Sequence, residues 1–69
     1  MTNIDIFING EVSTIRKNIT ILDLINDLDL DLTKIAVEKN LEIIEAKSFS
    51  SQELKSGDKI EIVHFIGGG

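Results

Sequence analysis

At 69 residues, with no cysteine, no proline and a formal charge of −5, the chain has room for one domain and not for two. Without cysteine there is no disulfide framework, no thiolate zinc site and no catalytic thiol. Asp+Glu 12 against Lys+Arg 7 argues against nucleic acid and anionic membrane surfaces as partners, because both attract a basic face.

A chain of this size buries only about 60% of its unfolded surface, so its core must be compact and strongly apolar. The composition allows it: 42% of residues are hydrophobic and isoleucine occurs 13 times, too apolar for a disordered segment. Asp5 and Glu11 precede any basic residue, and no apolar run reaches signal-peptide or membrane-spanning length. The cytoplasm is therefore the expected location.

In chain order, Ile4, Ile6 and Ile8 alternate with Asp5 and Phe7, which predicts a strand with one buried face. Asn9-Gly10 predicts a hairpin turn, since both residues tolerate φ > 0. Glu11 to Arg16 reads as the returning strand. Its apolar members, Val12 and Ile15, have opposite parity, which leaves the register open; a bulge would reconcile them. Thr20 is a good N-cap for a helix, and Asp23 complements the helix dipole. Ile21, Leu22, Leu24, Ile25 and Leu28 cover an arc of about 160° at 100° per residue. Asp29 would enter that stripe, so the helix should end near Leu28, and residues 28–32 read as an exit loop.

Ile35 to Lys39 predicts a strand, Asn40 a turn, and Leu41 to Ala46 a short strand in which the adjacent Ile43 and Ile44 leave the facing open. Ser50-Ser51-Gln52-Glu53 has capping-box spacing and predicts one helical turn anchored by Leu54. Ser56-Gly57-Asp58 is a turn. Lys59 to Phe65 is the last strand, apolar on both faces and hence interior. One helix must cover one face of the sheet. The expected fold is α+β: a β-grasp arrangement with a mixed sheet of four to five strands, one main helix on one face, and the first and last strands side by side at the centre. Residues 1–66 form the domain and 67–69 a flexible tail.

No catalytic constellation emerges. His64 is the single histidine and reads as structural or exposed. Asp23 and Asp27 line the polar face of the helix; Asp29 and Asp31 flank leucines and lack the clustering of oxygen ligands a metal needs. No nucleophile is paired with a base, no phosphate loop is present, and no metal site is assigned. Gly10 and Gly57 are accounted for by turns.

Gly67-Gly68-Gly69 is different. A tail without side chains can thread a narrow channel into another protein's active site. From Ile66 to Gly69 it reaches at most about 14 Å, at ~3.3–3.6 Å per residue. The group it presents is the carboxylate of Gly69, with an ordinary pKa of about 3.3–3.7. Ionised at neutral pH, it is a poor electrophile and needs activation, for example as an acyl-adenylate.

The segment Ser56-Gly57-Asp58-Lys59-Ile60-Glu61-Ile62-Val63-His64-Phe65-Ile66-Gly67-Gly68-Gly69 resembles the C-terminus of the ThiS family, small sulfur carriers of thiamine (thiazole) biosynthesis. The pattern is a Gly-Asp turn, an Ile-Glu-Ile-Val strand and an apolar residue before terminal glycines. The N-terminal strand with Asn9-Gly10 and the overall length are similar too. The resemblance implies a ubiquitin-like β-grasp fold and a protein that is not an enzyme but a co-substrate. In that family a ThiF-type enzyme adenylates the terminal glycine with ATP. The adenylate becomes a thiocarboxylate, with sulfur from a donor such as a cysteine desulfurase system, and a ThiG-type thiazole synthase receives the sulfur. Carried over, Gly69 bears the reactive group, Gly68 completes the diglycine and Gly67 is an extra glycine. No permanently bound cofactor is implied.

If Ile4, Ile6, Ile8, Ile60 and Ile62 face the helix, Phe7, Val63 and Phe65 face away from it. With Ile66 they are expected to form an exposed apolar patch beside the tail that docks the activating enzyme and the synthase. Two alternatives share the fold and the tail. One is a MoaD-type carrier of molybdopterin synthesis, whose chains tend to be longer and often place proline before the diglycine. The other is a ubiquitin-like protein modifier.

Overall fold

The alternating isoleucines form the central strands that their period predicts. The computed structural model describes residues 2–65; Ile66 and the tail Gly67, Gly68 and Gly69 lie outside them. The elements are β1 (Asn3–Ile8), β2 (Glu11–Arg16), α1 (Ile21–Asp27), a 3₁₀ turn (Leu32–Lys34), β3 (Ile35–Lys39), β4 (Glu42–Ile44), a second 3₁₀ turn (Ala46–Ser51) and β5 (Lys59–His64). The strands make one five-stranded mixed sheet in the order β2-β1-β5-β3-β4. β1 and β5 are parallel neighbours at its centre, and the other pairs are antiparallel. This is the β-grasp arrangement, with α1 as its one main helix.

Asn9-Gly10 makes the first hairpin with φ of +50° and +84°, the left-handed pair that a two-residue turn between twisted strands requires. The β1–β2 register runs unbroken from Ile8↔Glu11 to Asn3↔Arg16. No bulge is needed to reconcile the two parities. Val12 and Ile15 differ in parity because they serve opposite faces. Ile15 pairs with Ile4 on the inner side, and Val12 pairs with Phe7 on the outer side.

Helix α1 starts at Thr20 with a reciprocal cap. The Asp23 N–H donates to Thr20 Oγ1 (3.1 Å), and the Thr20 N–H donates to Asp23 Oδ2 (2.9 Å). The Thr20 backbone N–H, then its hydroxyl, hold the Asp23 carboxyl below the usual carboxylate range. The helix stops at Asp27, with Leu28 as C-cap and Asp29 in the left-handed region at φ +58°. Ile21, Leu24 and Ile25 are buried beneath the sheet's inner face, with Ile6, Val37, Ile44, Ile60 and Ile62.

β5 ends at His64, one residue short of the predicted Phe65, and two other boundaries differ by more. β4 is only Glu42–Ile44, because Asn40 and Leu41 are consumed by a second left-handed turn (φ +52° and +71°) and a 3₁₀ turn begins at Ala46. Its paired isoleucines split between faces, Ile44 buried and Ile43 exposed. The helical turn expected from Ser50 lies earlier, at Ala46–Ser51, where it lowers Phe49 into the core. Residues 52–54 instead run extended beside 19–21. The Ile21 N–H donates to the Gln52 carbonyl and the Leu54 N–H to the Ile19 carbonyl, each at 2.9 Å. Backbone groups engaged in this way cannot also cap a helix. Leu54 is buried, as its anchoring role requires.

Candidate functional site

Among the described residues no helix packs on the outer face of the sheet. Strand parity places there Phe7 from β1, Val12 from β2, Lys59, Glu61 and Val63 from β5, Ala36 and Glu38 from β3, and Ile43 from β4. Of the residues expected to form a docking patch, Phe7 is 37% exposed, Val63 59% and Phe65 58%. They share the face but not one spot. Phe7 lies beside Lys59, four residues before Val63, which is about 13 Å along the strand. The Glu61 side chain comes between. Val63 instead neighbours Ala36, and Phe65 follows it beyond the end of β5.

β5 leads to the tail, and it is held firmly from both flanks. On one side the Phe65 N–H donates to the Lys34 carbonyl (2.8 Å), so backbone pairing with the β3 side continues one residue past the strand. On the other side β1 matches β5 only at Phe7↔Lys59 and Ile8↔Ile60 before turning away. Asn9 takes over there. Its N–H donates to the Ile60 carbonyl (2.8 Å). Its carboxamide accepts from the Ile62 N–H (2.8 Å) and donates to the Ile62 carbonyl (3.3 Å). A side-chain amide thus replaces the next peptide of the ladder.

Asn40 does the equivalent at the start of β5. Its N–H reaches the Lys59 carbonyl (2.8 Å), its Oδ1 accepts from the Lys59 N–H (2.9 Å), and its Nδ2 donates to Asp58 Oδ1 (3.1 Å). The turn-forming asparagines are visible in the sequence. That both carboxamides clamp β5 is not, because the contacts span 53 residues for Asn9 and 18–19 for Asn40.

The remaining titratable groups do not assemble. His64 stands exposed at the end of β5, opposite Ile35. Among the described residues no three His, Cys, Asp or Glu side chains gather as a metal site would need, and no helix is long and apolar enough to cross a membrane. Asp31 caps the first 3₁₀ turn, accepting from the Thr33 hydroxyl (2.6 Å) and N–H (2.9 Å), which hold its carboxyl below the usual range.

Fold and site together define a small ubiquitin-like β-grasp domain with a bare sheet face next to the strand that leads to its C-terminus. A sequence model of the ThiS family matches residues 6–69, and the chain belongs to that family. It is 46% identical over 50 residues to the sulfur carrier protein ThiS of Bacillus subtilis, covering 72% of this chain and 76% of that one. The crystal structure of the thiamine biosynthesis protein (ThiS) from Geobacter metallireducens superposes with a TM-score of 0.83 at 29% identity, over 96% of this chain and all of that one. A thiazole synthase of Paramagnetospirillum magneticum is 45% identical over 62 residues, 90% of this chain, and this chain spans only 19% of its length.

Proposed function

We propose that the protein is a sulfur carrier of thiamine biosynthesis whose working group is the carboxylate of Gly69. The observation that carries the reading is family membership over residues 6–69, a match that includes the glycine tail. The chemistry follows from what a carboxylate can do. Ionised, it does not accept a nucleophile. Attack of one of its oxygens on the α-phosphate of ATP forms an acyl-adenylate and releases pyrophosphate. A sulfur nucleophile at the sulfide level then attacks the carbonyl carbon, and AMP leaves with the transferred oxygen. The product is a thiocarboxylate in which one oxygen has been replaced by sulfur.

A ThiF-type adenylating enzyme supplies the ATP chemistry in this reading, a donor such as a cysteine desulfurase system supplies the sulfur, and a ThiG-type thiazole synthase consumes it. That a thiazole synthase relative contains a segment similar to this chain within a longer polypeptide supports the last pairing. The domain itself contributes no catalytic group. It presents the tail Gly67, Gly68 and Gly69 on a clamped strand, beside an exposed face where Phe7, Val63, Phe65 and Ile66 dock the partner enzymes. The cytoplasm is the compartment this reading assigns.

Mass spectrometry of the intact protein tests the proposal. After incubation with the adenylating enzyme, ATP and a sulfur source, the expected mass gain is that of one oxygen exchanged for one sulfur. Deleting Gly68 and Gly69 should abolish the gain and leave the thermal midpoint unchanged. A truncated chain that still gains the mass would refute the assignment to Gly69.

A further inference from the structure

The outer face carries a charge arrangement that the fold does not need. Glu38 on β3 and Glu61 on β5 are directly opposite each other in the antiparallel register. Like charges facing across strands are destabilising. No ion pair among the described residues relieves them. The ion pairs among the described residues are Arg16–Asp27, Lys47–Glu45 and Lys55–Glu53, and none involves either glutamate. Lys59 lies one step along the same face but forms no ion pair with Glu61.

Apolar groups flank the two carboxylates on two sides. Ile43 pairs with Glu38 from the far side and is 75% exposed. Val63 and Ala36 form the next row toward the tail, and Phe65 follows. Leu41, in the turn before β4, is 89% exposed and sits at φ +71°, where a leucine is strained. The result is two acidic side chains bordered by exposed Ile43 on the β4 side and by exposed Val63 one step further along β5.

We infer that this β5–β3–β4 half of the outer face takes a protein partner that inserts a basic side chain between Glu38 and Glu61 and seats apolar side chains on Ile43 and Val63. The inference rests on the carrier reading above and specifies what its docking partners must present. A guanidinium or ammonium cancels the repulsion when it arrives, so the bound state gains what the free state lacks. The apolar frame excludes water and strengthens the ion contacts. A nucleic acid would be repelled by the same carboxylates, and a purely apolar partner would leave them buried and unpaired.

The test compares the Glu38→Gln/Glu61→Gln double variant with a control, Glu11→Gln/Asp29→Asn, that removes the same charge from elsewhere on the surface. Affinity for the adenylating enzyme and for the thiazole synthase of the same organism is measured at low and at high salt, with thermal midpoints alongside. The expected result is a fall of about tenfold or more in the double variant's affinity for at least one enzyme, together with a flattened salt dependence. Its thermal midpoint should be equal to or above wild type, which a merely structural pair would not give. The control should bind within about twofold of wild type. A double variant that behaves as the control does, in affinity and in salt dependence, overturns this inference alone. Wild-type protein that gains no sulfur and binds neither enzyme overturns the carrier reading, and this inference with it.

Discussion

The two faces of the sheet are made by the same five strands and differ in what they do. On the inner face Ile6, Val37, Ile60 and Ile62 are buried with Ile21, Leu24 and Ile25 of α1. On the outer face Phe7, Val12, Ile43 and Val63 are exposed, and two glutamates oppose each other. The inner face is where burial at roughly 25 cal/mol per Å² drives folding. The outer face gives up part of that stabilisation by exposing apolar side chains and juxtaposing like charges. Such a surface is expected of a domain whose task is to be held by other proteins.

The sharpest way to break the comparison is to cut into the inner face. Ile6→Ala should cost about 2–5 kcal/mol by leaving a cavity under α1, measured by urea unfolding. A cost below about 1 kcal/mol would mean that the core is not where the inner face puts it. Asn9 comes next, because it joins the faces to the tail strand. Asn9→Ala removes both carboxamide bonds to Ile62 and should cost about 1–3 kcal/mol. Hydrogen exchange at the Ile62 amide should then rise more than at amides elsewhere in β5.

Leu41→Gly should act in the opposite sense. Relief of the left-handed strain outweighs glycine's added chain entropy, and the domain should gain about 0.5–1 kcal/mol. Loss of stability instead would show that the leucine side chain packs on something in the free protein. The smallest effect is on pH. Asp23 and Asp31 have folded-state pKa values below their unfolded ones. Their contribution is therefore fully present above the ordinary aspartate range, near pH 4, and is lost as pH falls through the lower folded values. Asp23→Asn should flatten the acid limb of the stability curve and leave the neutral region's pH slope unchanged.

What was legible in the sequence follows from the range of the interactions. Period two in Ile4-Ile6-Ile8, the Asn9-Gly10 turn and the Thr20 cap are local signals, and the structure realises each of them. The interior place of β5 follows from its apolar residues on both faces, and its pairing with β1 from the order of hairpin, crossover helix and late interior strand. The register of β2 is not legible locally, because Val12 and Ile15 are both apolar and serve opposite faces. The capping pattern at Ser50 points four residues beyond the observed start at Ala46, because the burial of Phe49, not the local serines, positions that segment.

For the site, parity was enough to place Phe7, Val63 and Phe65 on one face. It could not place Phe7 and Val63 some 13 Å apart along it, nor set Glu38 opposite Glu61, because both depend on strand register. The asparagine clamps on β5 are likewise contacts between distant parts of the chain that leave no local pattern.

The central claim is that recognition lies on the outer face while stability lies on the inner one. Its most direct test is the rate of thiocarboxylate formation in a Val63→Ala/Phe65→Ala variant, followed by intact mass beside an unfolding curve. The account predicts stability within about 0.5 kcal/mol of wild type for each exposed substitution, and sulfur loading slowed by about tenfold or more through weaker docking. A variant that loads sulfur at the wild-type rate would contradict it.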